Sequence, residues 1–224
     1  YDLNAKINYK INDKNRLFLS GYFGQDNFIL GDAFSTNWGN ATATMRWNHL
    51  FSPKLFSNFT FVFSKFNYSL GVPQGAFAFD WDASIQDFSL KSDFTAFVTP
   101  STTLKFGFLA THHTFEPANF QPAGDEGESI LNAFNVPNKH AIEPAIYLSS
   151  EQKIGSHVVL QYGLRYSLFY NIGPGQVFQY EEDGTTVADT TFYEPWEGIK
   201  FYHGLEPRFS ANFIINPKNS IKTS

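Results

Sequence analysis

The sequence has no cysteine, one methionine and no apolar stretch long enough to form a transmembrane helix, which needs roughly 20 such residues. The missing stretch excludes helical membrane spans. The 16 lysines and arginines are outnumbered by 21 aspartates and glutamates and form no basic stripe, so nucleic-acid binding is not expected. The lack of cysteine leaves no disulfide framework, which fits many exported proteins.

Aromatic residues are abundant, at 18% of the chain with 26 phenylalanines, yet the mean hydropathy is only −0.26. The segment from His157 to Tyr170 explains how both can hold, because apolar residues alternate there with small, polar or charged ones. About ten residues of this alternation suffice for a tilted strand to cross a bilayer between lipid and a wet lumen. Since unpaired backbone groups cannot face lipid, such strands must belong to a closed barrel.

Turn signals divide the chain into about nine complete strands and the start of a tenth. Short turns are predicted at 12–15, 52–54, 99–101, 153–156 and 216–219. Longer connections are predicted at 25–37, 69–81, 114–140 and 171–201. In an outer-membrane barrel the short turns are periplasmic and the long connections extracellular.

Most predicted strands have one apolar and one polar face, as where Phe59, Phe61 and Phe63 alternate with polar residues. Leu17–Leu19 and Ile146–Leu148 are apolar on both faces, so their orientation stays open. Pro207 has no N–H for a strand ladder and is expected near a barrel rim or at a bulge.

Charged residues occupy the polar face, which suits a wide lumen lined by water or by a plug better than a dry core. The residues expected to face the lumen or a plug are Arg46, Lys91, Asp93, Arg165, Glu206 and Arg208. The predicted fold class is therefore all-β: an antiparallel transmembrane β-barrel segment of about nine to ten strands. Residues 1–224 are expected to form one partial barrel domain, truncated at both ends.

Tyr147–Ile154 followed by Leu160–Ser167 has the pattern Y-x-x-x-E-x-K-I … L-x-Y-G-L-R-Y. This pattern resembles a hairpin of TonB-dependent outer-membrane receptors. Leu205–Ser210 resembles their strand E-P-R-x-S, and Leu104–Gly107 matches their strand x-L-K-x-G. The order and spacing of the three stretches fit the middle to late part of such a barrel.

The resemblance implies a 22-stranded barrel, plugged by an N-terminal domain, in the bacterial outer membrane. It implies import of large or scarce solutes with energy relayed by TonB, through a plug and a TonB box expected outside this sequence. The richness in phenylalanine and asparagine resembles the SusC-like receptors of Bacteroidota, and this implies a surface lipoprotein as a partner. Outer-membrane lipid is the remaining expected partner.

No metal site, cofactor or enzymatic activity is expected. His112 and His113 point to opposite faces of a strand, so at most one of them could bind a metal together with Glu116. The acidic runs Asp125–Glu128 and Glu181–Gly184 fit solvated loops better than a calcium cage. The sequence has no Gly-x-Ser-x-Gly elbow or paired carboxylates for catalysis.

Aromatic residues gather at the predicted extracellular ends of the strands: Phe28, Phe34, Trp38, Phe77, Phe79, Trp81, Phe192, Tyr193, Trp196, Phe201 and Tyr202. Two hypotheses explain them. One is the upper aromatic girdle of a membrane barrel. The other is a surface that stacks on a sugar or peptide ligand, for which Trp81, Tyr193 and Trp196 are the candidates.

The leading functional hypothesis is outer-membrane transport of a glycan, a peptide or a metal chelate. A structural barrel that scaffolds a surface complex is the first alternative. The second is a small passive pore or adhesin of about ten strands, which predicts that the first and last strands pair.

Overall fold

The computed structural model describes residues 1–31, 33–124 and 129–224. The described residues form strands, turns and irregular connections, without a helix. The strands are β1 (Asp2–Asn12), β2 (Asn15–Leu30), β3 (Phe34–Ser52), β4 (Leu55–Val72), β5 (Phe79–Thr99), β6 (Thr102–Pro122), β7 (Phe134–Val136), β8 (Lys139–Ile154), β9 (Val158–Ile172), β10 (Gly175–Tyr180), β11 (Val187–Tyr193), β12 (Gly198–Asn216) and β13 (Asn219–Thr223).

The strands form one large antiparallel sheet in the order β1-β2-β3-β4-β5-β6-β8-β9-β12-β13, so each long strand pairs with its neighbours along the chain. The short strand β7 pairs with the upper end of β6, and β10 and β11 form a separate two-stranded sheet. Nine long strands and a short tenth in the main sheet confirm the predicted strand order and the all-β antiparallel fold class.

The short turns lie where the sequence predicts them, whereas the predicted long connections are wrong in extent. The connection predicted at 25–37 shrinks to residues 31–33, between the ends of β2 and β3. The one predicted at 69–81 shrinks to 73–78. The connections at 114–140 and 171–201 contain β7 and the β10–β11 hairpin, respectively. The strands thus continue well past the length that a membrane requires.

Cross-strand register fixes which residues share a face, because directly opposed residues point to the same side of a sheet. Met45, Phe61 and Leu90 are opposed in neighbouring strands and define the outer face. Register places Leu17 and Leu19, as well as Ile146 and Leu148, on this outer face too. The two orientations that the sequence left open are therefore resolved.

Pro207 lies within an uninterrupted stretch of β12 opposite Leu164, so the expectation of a bulge at this position is wrong. The register shift in this strand pair occurs between Gly198 and Lys200 instead. Proline has no backbone N–H, so Pro207 contributes only its carbonyl to the strand ladder.

The outer face is exposed and apolar across the sheet, as where Leu90 keeps 50% and Ile146 keeps 62% of its surface accessible. This face is suited to lipid contact. In the described part of the chain, β1 pairs only with β2 and β13 only with β12, so the sheet is open. This differs from the small ten-stranded pore, for which the first and last strands would pair. No helix capable of crossing a membrane is found in the residues that the structure describes.

Candidate functional site

All six charged residues predicted to face the lumen lie on the side of the sheet opposite the outer face, here called the inward face. One row across the strands contains Arg46, Thr60 and Lys91 as direct neighbours. The next row contains Asp93, Gly107, Tyr147, Arg165 and Glu206, each opposite the next. Arg208 follows one position further along the inward side of β12, opposite Gly163.

The first polar cluster joins β5 to β8 across β6 through Asp93. The Lys91 Nζ lies 3.0 Å from Asp93 Oδ2, and the Tyr147 hydroxyl donates a hydrogen bond to Asp93 Oδ1. Tyr147 reaches Asp93 across Gly107, which lies between them on β6. A Cβ at Gly107 would collide with the Ser92 carbonyl and would lie 3.0 Å from the tyrosine hydroxyl. The glycine therefore makes room for the tyrosine to cross the strand.

The second polar cluster neutralises Glu206. Arg208 Nη2 donates to Glu206 Oε2 at 3.0 Å, and Arg165 Nε lies 3.6 Å from Glu206 Oε1. The Ser167 hydroxyl donates to the same carboxylate. Residues from both clusters line a concavity of about 840 Å³ on this part of the sheet, including Lys91, Tyr147, Arg165 and Arg208. The charges of these two clusters are thus paired within the wall.

Arg46 has a different environment. Its guanidinium stacks over the Phe18 ring, 4.7 Å from the centroid. Within the described ranges Arg46 has no ion pair, unlike the other five predicted lumen residues. Sequence reasoning could not have separated Arg46 from them, because the difference depends on which strands are neighbours.

The two adjacent histidines point to opposite faces, as the sequence predicts. His113 lies on the inward face, with Nδ1 2.8 Å from Asp87 Oδ1 and Nε2 3.6 Å from Glu143 Oε2. His112 lies on the outer face and stacks near His140. Glu116 accepts a hydrogen bond from Ser84. Among the described residues, no three histidine, aspartate or glutamate side chains are placed to hold a metal ion.

Above the membrane-spanning rows the two faces exchange character. On β4 and β5 the outer face changes from Phe63 and Phe88 to Lys65 and Gln86 within one step of the register. It stays polar above this step, and Ser69 donates to Asp82 at 2.7 Å. The inward face changes in the opposite sense, from Ser64 and Asp87 to apolar residues. This exchange explains why the long connections are predicted with the wrong extent. In the upper part of the strands apolar residues no longer face outward, so the pattern used to recognise a strand is lost.

The upper inward face forms an aromatic surface, here called the aromatic wall, which consists of Trp38, Phe66, Tyr68, Leu70, Trp81 and Ile85. Trp38 lies opposite Tyr68, Phe66 opposite Ile85, and Leu70 opposite Trp81. Register between these strands runs without a shift from the charged rows up to this surface. The side chains of Trp38, Tyr68 and Trp81 remain 37–39% exposed. The surface continues into the stack of Phe79, Phe120 and Phe134.

Trp81 is not brought together with Tyr193 and Trp196, the two other candidate ligand-binding residues. Trp81 lies in the aromatic wall on the inward side. Trp196 lies 5.4 Å from the His112 ring, which places it beside the outer face at the level of Tyr170 and Phe201. This level is the last apolar row of the outer face, so Trp196 occupies the position expected of an aromatic girdle.

Tyr193 ends β11 opposite Gly175, in the separate two-stranded sheet. Neither of the two other candidates lies in that sheet. Its role in ligand binding stays a prediction. Sequence reasoning missed Phe66, Tyr68 and Ile85, although the exchange of polarity between odd and even positions after Ser64 is a signal that could have found them.

Of the two acidic runs predicted to lie in solvated loops, the structure describes only the second. Asp125–Glu128 lies outside the described residues. In the second run, the Asp183 carboxylate accepts hydrogen bonds from the Thr186 hydroxyl and from the backbone N–H groups of Thr185 and Thr186. These bonds, above all the one from the Thr186 hydroxyl, hold the pKa of Asp183 well below its ordinary 3.8. Its oxygens stabilise the hairpin turn.

The sequence matches no protein-family model and no curated protein. Its fold, however, matches solved structures. The ferric preacinetobactin receptor BauA from Acinetobacter baumannii aligns over 99% of this chain and 38% of its own, with a TM-score of 0.68 and 12% identity. The ferric-catecholate import receptor Fiu from Escherichia coli K12 aligns over 96% of this chain and 41% of its own, with a TM-score of 0.64 and 14% identity.

The copper transporter OprC aligns over 95% of this chain and 34% of its own, with a TM-score of 0.66 and 9% identity. The chain therefore spans between a third and about two fifths of these proteins. All three are described as receptors or transporters. The fold of this chain is that of consecutive wall strands in an outer-membrane receptor barrel.

Proposed function

We propose that this chain forms part of the wall of a TonB-dependent receptor that imports a large or scarce solute across the bacterial outer membrane. The observation that carries the proposal is the sheet itself. Its strands follow the same path as those of outer-membrane receptors over at least 95% of the chain. The sheet also has an exposed apolar outer face and a charged inward face. The solute is a glycan, a peptide or a metal chelate.

The inward clusters support transport over a merely structural barrel. A wall built only for support has no need of charged side chains on its concave side, because burying charge is costly. Here Lys91, Asp93, Arg165, Glu206 and Arg208 remain on that side in ion pairs. Lys91, Arg165 and Arg208 line the 840 Å³ concavity. Such a surface suits contact with water or with a polar plug domain.

The aromatic wall supports capture of the solute before it passes the barrel. Its rings lie on the inward side above the membrane rows, where an incoming solute would first meet the wall. Trp81 is the ligand-binding residue that we retain from the sequence prediction, and we add Trp38 and Tyr68. Flat aromatic rings stack on sugar rings and on aromatic ligands. A surface lipoprotein of the SusC-associated kind remains part of the proposal as a partner above this wall.

Uptake by whole cells tests the proposed function. Cells with and without the complete natural protein would receive three labelled pools: oligosaccharides from partially hydrolysed dextran, a tryptic peptide digest and ferric citrate. We expect one pool to accumulate only when the protein is present and the cells are energised, with a protonophore abolishing the uptake.

Two other outcomes contradict the proposal. Uptake that persists with the protonophore, together with ion conductance of the purified protein in planar bilayers, indicates a passive pore. No uptake of any pool and no conductance indicates a scaffold barrel.

A further inference from the structure

His113 lies between two carboxylates on the inward face of three neighbouring strands. Asp87 on β5 is directly opposite His113 on β6. Glu143 on β8 is opposite Thr111, the inward residue that precedes His113 on β6, so it reaches the histidine diagonally. The strand register thus gives His113 two acidic neighbours, neither of which is Glu116, the partner considered from the sequence.

The hydrogen bond to Asp87 fixes which ring nitrogen of His113 carries a proton. Nδ1 lies 2.8 Å from Asp87 Oδ1. An ionised carboxylate only accepts hydrogen bonds, so Nδ1 is the donor. The other ring nitrogen, Nε2, is directed to the side of the ring on which Glu143 lies.

The environment of His113 Nε2 is unusual for a histidine beside a carboxylate. Nε2 lies 3.6 Å from Glu143 Oε2, too far for a hydrogen bond, and it is buried without a hydrogen-bond partner among the described residues. A protonated Nε2 is expected to approach the carboxylate to about 2.8 Å, the usual length of a charge-assisted hydrogen bond. Two atoms with lone pairs therefore face each other without a hydrogen bond between them.

The separation of these two atoms matches that of two ligands on one metal ion. Zinc binds imidazole nitrogen and carboxylate oxygen at about 2.0–2.2 Å, so two such ligands at a tetrahedral angle lie about 3.4 Å apart. Nε2 and Oε2 are 3.6 Å apart. Asp87 has the role usual for a carboxylate beside a metal-bound histidine, because it accepts a hydrogen bond from the ring nitrogen that does not face the metal.

The local charge also favours a cation. Within the described ranges, Asp87 and Glu143 form ion pairs only with His113. The row that contains Asp87 and His113 has uncharged Ser64 and Ala141 on either side. Two carboxylates beside one histidine leave an excess of negative charge, which a divalent cation neutralises.

We propose that His113 Nε2 and the Glu143 carboxylate bind a divalent transition-metal ion on the inward face, with Asp87 as a positioning residue that orients the imidazole. A nitrogen and an oxygen donor suit Zn²⁺ or Cu²⁺ better than Ca²⁺ or Mg²⁺, which prefer oxygen ligands. Two protein ligands leave coordination positions for water or for donor atoms of another molecule.

The site lies directly below the aromatic wall, since Asp87 is the inward residue next to Ile85 on β5. A metal ion held there is within the path of a solute that passes from the aromatic wall into the lumen. The proposal goes beyond the proposed function, which assigns no metal-binding residue to this chain.

Zinc binding to the complete protein tests the site. Crystals soaked in zinc chloride, measured at the zinc absorption edge, locate the ion, and competition with the colorimetric chelator zincon gives its affinity and stoichiometry. We expect an anomalous peak within about 2.3 Å of His113 Nε2 and of a Glu143 oxygen. His113→Gln and Glu143→Gln should each remove this peak and lower the stoichiometry by one ion. Asp87→Ala should keep the site and weaken its affinity about 10- to 100-fold, the usual loss for such a supporting partner.

His112→Gln and Glu116→Gln are the matched controls, because they remove an imidazole and a carboxylate from the outer face of the same strand. Both should leave the peak and the stoichiometry unchanged. Heat-dependent mobility on gels verifies that each variant barrel is folded. If His113→Gln does not fold, Glu143→Gln decides, since 41% of the Glu143 side chain is exposed.

Three outcomes overturn the proposal. The first is the absence of a peak at this site at saturating zinc, and the second is a peak that survives Glu143→Gln. The third is a ¹⁵N spectrum in which both nitrogens of His113 are protonated at neutral pH and zinc changes neither, because His113 is then an imidazolium held by two carboxylates. Zinc bound at this site in a protein without energised uptake contradicts the proposed function and leaves the metal site standing.

Discussion

The lower and upper parts of β4 and β5 have the same alternation and opposite chemistry. In the lower part, Phe61 and Leu90 face outward while Thr60 and Lys91 face inward. In the upper part, Lys65 and Gln86 face outward while Phe66 and Ile85 face inward. The register continues through both parts without a shift, so the faces themselves do not change sides. What changes is the surroundings of each face.

The outer edge of the membrane accounts for this contrast. Lipid requires apolar side chains on the outer face, and the water above it permits polar ones. The inward face is free to become aromatic once it no longer lines the charged part of the lumen. The step from Phe63 to Lys65 on β4 therefore marks the outer edge of the hydrocarbon layer.

The largest effect is expected from a charge placed on the lower outer face. Leu90→Lys should destabilise the barrel by about 2–4 kcal/mol, because lysine near the bilayer midplane loses its hydration. Gln86→Lys, on the same face but above the edge, should change stability little. Unfolding by guanidinium in lipid vesicles measures both variants. Equal destabilisation by the two would place Gln86 in lipid and remove the contrast between the two parts.

A smaller effect on stability is expected at Gly107, which lies on β6 opposite Asp93. Gly107→Ala should cost about 1–3 kcal/mol, since the new methyl group forces β5 or Tyr147 to move. The matched control is Gly204→Ala on β12, where a Cβ has no atom within 4 Å. The same unfolding assay compares them. A neutral Gly107→Ala would show that Tyr147 can reach Asp93 without the gap.

Two tryptophans lie on different sides of the sheet, Trp81 on the inward face and Trp196 beside the outer face. Trp81→Ala should weaken binding of the labelled pool that accumulates in cells by about tenfold, the loss expected for one aromatic stacking contact with its buried area. Trp196→Ala, beside the outer face, should leave the affinity unchanged. Equilibrium binding to the purified protein gives both values. The opposite ranking would assign ligand binding to the outer girdle.

The smallest effect is expected beyond the sheet, at the tip of the β10–β11 hairpin. Because the pKa of Asp183 is lowered, the carboxylate's contribution is complete above its ordinary 3.8 and is lost only as the pH falls through the lowered value. Hydrogen exchange of the Thr185 and Thr186 amides should therefore show no loss of protection between pH 7 and pH 4 beyond the intrinsic change in rate.

Asp183→Asn serves as the comparison, because it keeps an oxygen acceptor and removes the charge. Its amides should be less protected at neutral pH. Protection that falls already near pH 4 in the unchanged protein would contradict the lowered pKa.

Much of the wall follows from local patterns. Turn residues such as Pro53 and Lys54 ended strands where the structure ends them, and alternation assigned the six inward charges to one face. Alternation could not predict the upper parts of the strands, because the prediction requires that apolar residues face outward. Above the membrane the rule is reversed, so the sequence pattern misses Phe66 and places Trp81 at the end of a loop.

The sequence by itself determined that this protein is an antiparallel strand assembly with one lipid-facing side, because a period of two residues is a local property of the chain. Only the tertiary structure decided which charges are neutralised. Lys91 and Asp93 are two residues apart, but Asp93 and Tyr147 meet only because β5, β6 and β8 are neighbours. The same pairing of strands sets Lys10 against Arg16 and separates Trp81 from Trp196, since long-range register is fixed by the whole sheet.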